Sequence, residues 1–406
     1  MRCGNIATAT MSEVTVPWKV TSMKNIDKSI SYVDSAILDT IARLEPVLMD
    51  RIRRMVEIES PSDDKAAVDR CTATVEEMAA TVGGRAKRHR QREFGDVLEL
   101  RFGPRRGAPL LLLGHLDTVW PLGTLKRMPF RVAEGRAWGP GVLDMKTGVA
   151  MALTAIEALG TLPRPAILLL VSDEEVGSTA SRVITEKLAR ECAAVFVLEP
   201  AQGLRGAYKT ARKGVGNYTV RVTGVASHAG VDFERGHSAI HELAWQLEQV
   251  RRFTDLERGL TVNAGVIRGG TRTNVVAAEA EAEIDVRIAR MKDAARIDRK
   301  FRGLRVRDRG CVLNVEGGMN RPPMERSAGT AALYRKAATL AGKMGFELAE
   351  AATGGGSDGN FTAALGVPTL DGMGGVGEGA HASNESILLK DLIPRTALLA
   401  EMIRSA

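Results

Sequence analysis

The chain has 406 residues, of which 44% are hydrophobic and only 4% aromatic, and its formal net charge is +7. This length allows two or three domains, whose cores must be filled mainly by aliphatic side chains. No apolar run reaches the roughly 18 residues of a transmembrane helix, so no membrane partner is expected. The four cysteines are scattered and include no CxxC pair. This excludes a cysteine zinc site or a disulfide framework and favours a cytoplasmic location.

Residues 1–30 contain no apolar core of signal-peptide length, and we expect them to be a poorly ordered extension. Farther along the chain, helical and strand-like patterns alternate. Helical spacing occurs at residues 35–57, 65–82, 144–160 and about 179–191, and strand-like apolar patterns at 96–102, 109–113, 166–171 and 193–198. This alternation predicts an α/β domain with a largely parallel central sheet flanked by helices.

The pattern changes near Gly214, where polar and apolar residues begin to alternate. An amphipathic helix and further alternating strands follow, which is typical of a half-exposed antiparallel sheet. After about residue 320 the first pattern returns, with a helix at 328–345 and a final helix at the end. We therefore expect one discontinuous domain, residues 31–212 and 319–406, interrupted by a smaller α+β insert, residues 213–318.

Basic residues cluster between Arg85 and Arg92 and again between Arg296 and Arg309. Such clusters can bind nucleic acid. No nucleic-acid-binding motif accompanies them, so we interpret them as solvated faces and expect no nucleic-acid partner.

Three apolar strand patterns end in residues that can bind a metal ion. The first runs into His115 and Asp117, the second into Asp173, Glu174 and Glu175, and the third into Glu199. Ligands of open parallel sheets bind outside the carboxyl ends of the strands. If the three strands are neighbours, these side chains face a common cation, which would offset their mutual repulsion. The alternative is that each strand simply ends in solvent.

So many acids suggest two metal ions that share one carboxylate. Asp144 is a candidate for this bridge, because it follows a Gly-Pro-Gly turn and starts a helix, and His381 supplies a second imidazole. A shell of nitrogen and oxygen ligands suits zinc and tolerates cobalt or manganese. Two such ions would polarise a carbonyl group and lower the pKa of a water molecule. Of two adjacent acids, one can bind metal while the other transfers protons.

Seven segments together resemble the zinc aminoacylase/carboxypeptidase family of metallopeptidases, which includes glutamate carboxypeptidase, acetylornithine deacetylase and succinyl-diaminopimelate desuccinylase. They occur in the order GHLDTV, GPGVLDMKTG, SDEEVGS, LEP, GVASHAG, TGGGSDG and GAHASNE. The resemblance covers nearly the whole chain beyond residue 35. The LEP, TGGGSDG and RPPM segments are most similar to the glutamate carboxypeptidase branch.

The resemblance implies a role for each candidate residue of the metal site. Asp144 would bridge two zinc ions, of which one is also bound by His115 and Glu199 and the other by Glu175 and His381. Glu174 would be the general base, and Asp117 would orient His115. The family often has a cis peptide bond after the bridging aspartate, here Asp144–Met145.

The resemblance also implies that the insert is a lid and dimerisation domain. His228 would reach the site of the partner subunit and stabilise the oxyanion. Asn274, Arg287 and Arg321 would bind the carboxylate of the substrate, and the glycines around Gly355 would let backbone N–H groups approach it. Alternatively, Arg287 forms an ion pair with Asp285 or Glu283 on the same strand face, and Arg321 is an ordinary surface residue.

These observations predict a homodimeric dinuclear zinc hydrolase that cleaves the amide bond of a small carboxylate-bearing substrate, an N-acyl amino acid or peptide. The product would be a C-terminal glutamate or a similar amino acid. A second hypothesis is an N-acyl-amino-acid deacylase of the acetylornithine deacetylase or desuccinylase type. A third is a non-catalytic protein that binds partners through its basic clusters.

Overall fold

The computed structural model describes residues 35–406, and the predicted N-terminal extension, residues 1–30, lies outside the described residues. The helices are α1 (Ser35–Arg43), α2 (Glu45–Val56), α3 (Lys65–Thr81), α4 (Thr147–Leu159), α5 (Arg182–Arg190), α6 (Ala239–Arg251), α7 (Ala294–Arg302), α8 (Ala328–Lys343), α9 (Gly359–Ala364) and α10 (Leu392–Ser405).

The strands are β1 (Arg85–His89), β2 (Val97–Phe102), β3 (Leu110–His115), β4 (Arg131–Ala133), β5 (Arg136–Trp138), β6 (Ala166–Val171), β7 (Ala194–Val197), β8 (Tyr208–Arg212), β9 (Gly214–Thr223), β10 (Thr261–Gly269), β11 (Glu279–Ile288), β12 (Val312–Arg321), β13 (Glu350–Thr353), β14 (Thr369–Leu370), β15 (Gly377–Glu378) and β16 (Ser386–Leu388).

The central sheet has six strands in the order β1-β2-β6-β3-β7-β14. Strands β6, β3, β7 and β14 are parallel, and β2 and β1 continue the sheet in antiparallel pairing. The predicted α/β class with a largely parallel sheet is therefore confirmed. Strand β3 lies between β6 and β7 and is buried along its whole length. Burial on both faces explains why these strands are continuous apolar runs.

Alternate residues of the central strands pack on opposite faces of the sheet, as the two-residue period of a strand requires. Leu110 and Leu112 belong to the larger hydrophobic cluster, which also contains the buried faces of α4 and α10. Leu111 and Leu113 belong to a second cluster with Leu188 of α5. The sheet is thus covered on both sides, and the ends of its strands remain available for polar side chains.

A second sheet is antiparallel throughout, with the strand order β10-β11-β9-β12. Its apolar face packs under α6 and α7, where the rings of Tyr218 and Phe301 stack 3.9 Å apart. The buried members of this cluster all lie between residues 218 and 311. They fall inside the predicted insert, residues 213–318, which supports that division, although the domain boundaries stay a prediction.

Several elements differ from the sequence-based expectation. The single helix expected over residues 35–57 is interrupted at Leu44, because Pro46 in the first turn of α2 cannot donate to the preceding turn. The basic segment from Arg85 forms β1 at the edge of the sheet, where charged side chains are tolerated. Arg296 and Arg299 are exposed on α7, while Ile297 and Phe301 of the same helix are buried. This arrangement favours the solvated-face interpretation of that basic cluster.

None of the helices within residues 35–406 is long and apolar enough to cross a lipid bilayer.

Helix α4 begins in close contact with the end of β7, and this contact can be tested. A Cβ atom added at Gly148 would lie 2.0 Å from the carbonyl oxygen of Leu198, whereas one added at Gly342 of α8 would meet no atom within 4 Å. We expect Gly148→Ala to lower the free energy of unfolding by about 1–3 kcal/mol through overpacking. Gly342→Ala should instead raise it by about 0.5–1 kcal/mol, because alanine is the better helix former. Urea unfolding of both variants measures this, and equal effects would contradict the packing argument.

Candidate metal centre

The predicted metal ligands come from three neighbouring strand ends and two loops. His115 is the last residue of β3, Glu175 follows β6, and Glu199 follows β7. Asp144 lies in an irregular turn before α4, and its peptide bond to Met145 is cis, as the resemblance implied. His381 lies in the loop between β15 and β16. The structure brings these five side chains, distant in sequence, into one cluster.

Asp144 lies between the two imidazole groups. Its Oδ1 is 3.2 Å from Nε2 of His115, and its Oδ2 is 3.3 Å from Nε2 of His381. On the outer sides, Nε2 of His115 is 3.8 Å from Oε1 of Glu199, and Nε2 of His381 is 3.2 Å from Oε2 of Glu175. Each oxygen of one carboxylate therefore faces a different histidine and a different second acid.

These side chains form two groups that could each hold a metal ion, and both groups contain Asp144. One is His115, Asp144 and Glu199, and the other is Asp144, Glu175 and His381, with the ligand atoms of each group within 4.8 Å of one another. Ligand atoms around one tetrahedral zinc ion, with bonds of about 2.1 Å, are about 3.4 Å apart. The donor types and separations therefore fit a pair of zinc ions that share Asp144.

The pKa values of these residues reflect their burial and the short distances between their charged groups. Burial raises the pKa of Glu199 to about 7. Burial also acts to raise the pKa of Asp144, but hydrogen bonds from His115 and His381 outweigh it and hold the pKa well below its ordinary value. Hydrogen bonds to Asp144 and Glu175 raise the pKa of His381 to about 10. The neighbouring carboxylates thus favour the protonated form of this imidazole, because nearby negative charge stabilises the charged form.

Asp117 connects His115 to the turn that carries the two glutamates. Its carboxylate accepts hydrogen bonds from Ser62 Oγ at 2.7 Å and from the backbone N–H groups of Glu174 at 3.3 Å and Glu175 at 3.1 Å. Nδ1 of His115 is 2.9 Å from the main-chain carbonyl of Asp117 and 3.5 Å from its carboxylate. His115 is therefore oriented mainly through the backbone of Asp117, while the carboxylate fixes the glutamates.

Glu174, the predicted base, is held by an arginine. Oε1 of Glu174 accepts a hydrogen bond of 2.9 Å from Nη2 of Arg321, and burial raises the pKa of this carboxyl well above its ordinary value. Arg321 is itself buried, and its Nη2 also lies 3.1 Å from Oδ1 of Asp358 and 2.8 Å from Oγ of Ser178. The alternative that Arg321 is a surface residue is therefore wrong.

The other predicted substrate residues make different contacts. Arg287 is on the open face of β11 with Glu281, Glu283 and Asp285, as its spacing indicated, and it forms an ion pair of 2.8 Å with Asp285. The strand-face alternative thus describes Arg287 in this structure. Gly355 is exposed, and its carbonyl accepts a hydrogen bond from Arg212.

His228 and Asn274 are both exposed on adjoining loops of the insert, joined by a hydrogen bond of 3.0 Å from Ala229 N to the Asn274 carbonyl. Within residues 35–406, the ring of His228 accepts a hydrogen bond from Gly230 N, and no hydrogen bond links it to the metal ligands. Its predicted role in a partner's site remains a prediction.

Three further residues support the site, and sequence reasoning missed them. Ser62 contacts Asp117, as described above. Nη2 of Arg212 lies 3.2 Å from Oε2 of Glu199 and 2.7 Å from Oδ1 of Asp371. Glu385 accepts hydrogen bonds from the backbone of the turn that carries Asp144. Glu385 is the last residue of the GAHASNE segment. No local spacing pattern links any of the three residues to its partner.

The chain is similar to known hydrolases. The sequence model of the family described as "Peptidase family M20/M25/M40" matches residues 111–405 of this chain. Carboxypeptidase G2 of Pseudomonas sp. (strain RS-16) is 28% identical over 380 residues, which cover 90% of this chain and 91% of that protein. Acetylornithine deacetylase of Klebsiella pneumoniae is 30% identical over 196 residues, 44% of this chain and 50% of that protein.

Among solved structures, an M20 family metallo-carboxypeptidase from Sulfolobus solfataricus is similar with a TM-score of 0.71. The match covers 88% of this chain and 98% of that one, at 16% sequence identity. At this identity the likeness concerns the fold alone.

The contacts of Asp117 predict that its charge supports metal binding. In Asp117→Asn, the amide NH₂ group would face the backbone N–H of Glu174 or Glu175 and could not accept its hydrogen bond. We therefore expect the affinity for zinc to fall about 10- to 100-fold. Ser62→Ala removes one donor and leaves both backbone hydrogen bonds, so its effect should be smaller. Competition with a chromophoric chelator measures both affinities. Wild-type affinity in Asp117→Asn would show that this carboxylate is dispensable.

Proposed function

The chain belongs to peptidase family M20/M25/M40 and is a hydrolase of amide bonds, and from this premise we propose that it is a dinuclear zinc carboxypeptidase. Its substrate would be a small N-acyl amino acid or peptide with a free carboxylate, from which it releases a C-terminal glutamate or a similar amino acid. Cobalt or manganese could replace zinc with the same ligands.

The observation that carries this proposal is the position of Asp144 between two histidines. Its two oxygens lie 3.2 Å and 3.3 Å from different imidazoles, each beside a second acid. A carboxylate that binds only one metal ion would need only one histidine beside it. This arrangement supports two cations, one held by His115 and Glu199 and the other by His381 and Glu175.

When bound, the zinc pair would supply Lewis-acid polarisation of the scissile carbonyl and a lowered pKa for water. The chain supplies the proton transfer. Glu174 would accept a proton from the attacking water at its carboxylate and donate it to the nitrogen of the leaving amine. Burial raises the pKa of this carboxyl above its ordinary value, a shift that favours a group that must both accept and donate a proton. Arg321 keeps this carboxylate in position through Nη2.

The relatives favour a carboxypeptidase over a deacylase. Similarity to carboxypeptidase G2 extends over about nine tenths of both chains, whereas the match to acetylornithine deacetylase spans half of that protein. The deacylase remains the second candidate because acetylornithine deacetylase is also similar, at 30% identity over 196 residues. Rates on N-acyl-glutamate and on N-acetylornithine, measured with the same zinc-loaded protein, separate the two.

We also propose the lid and homodimer that the resemblance implied, and a cytoplasmic location. Strand β10 is at the edge of the second sheet, and Val266 and Ile267 on it are exposed. An exposed strand edge with apolar side chains is suited to pairing with a second chain. His228, on an exposed loop of the insert, would then be available to the partner's site, where it would stabilise the oxyanion.

The role of Glu174 predicts a separation of chemistry from metal binding. We expect Glu174→Gln to lower kcat by about 100- to 10,000-fold, because it removes the proton acceptor. The variant should still bind two equivalents of zinc, as measured by elemental analysis after removal of excess metal. Glu175→Gln is the matched control, since it should weaken zinc binding itself. Near-normal turnover in Glu174→Gln would reject this residue as the base.

Arg287 is the candidate whose role in substrate binding can be tested most directly. We expect Arg287→Met to raise KM for N-acyl-glutamate by about 10- to 100-fold, because a hydrogen bond to a charged group is lost. KM for a neutral amide analogue should change little. Asp285→Asn is the control, because it breaks the ion pair but keeps the guanidinium, and it should leave KM unchanged or lower. If both variants raise KM for both substrates equally, Arg287 has only a structural role.

A further inference from the structure

We propose that Glu385 is a positioning residue that holds Asp144 in the geometry needed to share two cations, an inference that rests on the proposed dinuclear site. Glu385 is neither a candidate metal ligand nor a substrate residue. It acts through the backbone of the turn on which Asp144 lies.

The carboxylate of Glu385 is buried, and each of its two oxygens accepts two hydrogen bonds. Oε1 accepts hydrogen bonds from the backbone N–H groups of Leu143 at 2.9 Å and Asp144 at 3.1 Å. Oε2 accepts from the N–H of Gly141 at 2.9 Å and from Nε1 of Trp120 at 2.8 Å. The residue is 1% exposed, so these four donors replace water as its partners.

All four partners are donors, and this fixes the chemistry that the position requires. An ionised carboxylate has two oxygens that accept and no group that donates. A glutamine here would turn an NH₂ group towards two N–H donors and leave them without an acceptor. Buried donors without an acceptor are costly, so the turn would have to move, and Asp144 would move with it.

Glu385 also connects the two segments that provide the central ligands. It lies four residues after His381, in a tight turn closed by hydrogen bonds from Ala382 N to the Gly379 carbonyl and from Glu385 N to the Ala382 carbonyl. Its partner Asp144 is 241 residues away in the sequence. One carboxylate thus ties the loop of the second imidazole to the turn of the shared aspartate.

This link matters because Asp144 must serve two neighbours at once. Its oxygens lie at nearly equal distances from His115 and His381. A shift of the turn towards one histidine would lengthen the distance to the other. Functional sites tolerate displacements of only about 0.5 Å, so loss of Glu385 should weaken cation binding even where the chain stays folded.

The chain offers a matched control for the structural effect of such a change. Glu242 of α6 is also a buried glutamate whose carboxylate accepts backbone hydrogen bonds, from Arg307 at 3.0 Å and Asp308 at 2.9 Å. It lies in the insert and contacts none of the candidate metal ligands in residues 35–406. Glu242→Gln therefore reproduces the loss of a buried acceptor without touching the metal centre.

The experiment compares zinc affinity, by chelator competition, with the melting temperature of the metal-free protein. We expect Glu385→Gln and Glu242→Gln to lower the melting temperature, and Glu385→Gln alone to lower zinc affinity, by about 10- to 100-fold. Trp120→Phe, which leaves the three backbone donors paired, should keep zinc affinity within about threefold. Glu385→Asp keeps the charge but shortens the side chain, and its zinc affinity should fall between those of wild type and Glu385→Gln.

Each outcome decides between the inference and its alternatives. Zinc affinity within threefold of wild type in Glu385→Gln, or an equal loss in Glu242→Gln, would overturn the inference. If Glu385→Gln does not fold, Glu385→Asp replaces it, and unchanged zinc affinity in that variant would overturn the inference. If the wild-type protein does not bind two zinc ions, the proposed function itself fails, and this result is obtained before any variant is made.

Discussion

Repulsion between carboxylates is the constraint on which the rest of this site depends. The chain gathers four of them in one cluster: Asp144, Glu174, Glu175 and Glu199. Like charges repel more strongly where water is excluded, and burial raises the pKa of both Glu174 and Glu199. Such a group is stable only if positive charge lies among its members. The structure supplies that charge in two forms, the guanidinium groups of Arg212 and Arg321 and the imidazoles of His115 and His381.

The two forms of positive charge lie on different sides of Glu199. Arg212 contacts Oε2 of Glu199, while Oε1 of the same carboxylate faces His115. Arg321 contacts Glu174 and the main chain beside it. Arg212 therefore neutralises Glu199 from one side, and the other side of this carboxylate faces the imidazole that would bind a proposed cation. Because metal ligands must lose their protons, cation binding there would release protons from the imidazoles.

Sequence reasoning could predict that the candidate metal ligands lie together, because topology and motif agree. A buried parallel strand is recognisable as an apolar run, and its carboxyl end is where polar side chains of several strands meet. His115, Glu175 and Glu199 follow from this rule. Asp144 and His381 lie on loops, and they were assigned through their motifs and the family resemblance rather than through the geometry of the sheet.

The supporting residues could not be predicted in the same way. The partners of Asp117, Glu199 and Asp144 in these contacts are Ser62, Arg212 and Glu385, and two of the three pairs are separated by more than fifty residues. Even Arg212, only 13 positions from Glu199, reaches it from the end of β8, after the chain has turned back between Gln202 and Ala207. Hydrogen bonds of this kind depend on how segments pack, and no periodicity in the sequence records them. The break at Leu44 differs, because Pro46 could have indicated it.

The two arginines that the resemblance assigned to one task have different surroundings, and the energetics of ion pairs separate them. Arg321, the last residue of β12, is buried against Glu174 and Asp358. Removing one partner of a buried ion pair typically lowers the free energy of unfolding by about 3–5 kcal/mol, so this arginine is committed to its acids.

Arg287 and Asp285 form the contrasting pair, and each is about one-third exposed. Ion pairs that solvent reaches contribute only about 0–1 kcal/mol to the free energy of unfolding. A substrate carboxylate would therefore replace Asp285 at little cost, which supports the proposal that Arg287 recognises substrate and that Arg321 holds the proposed base.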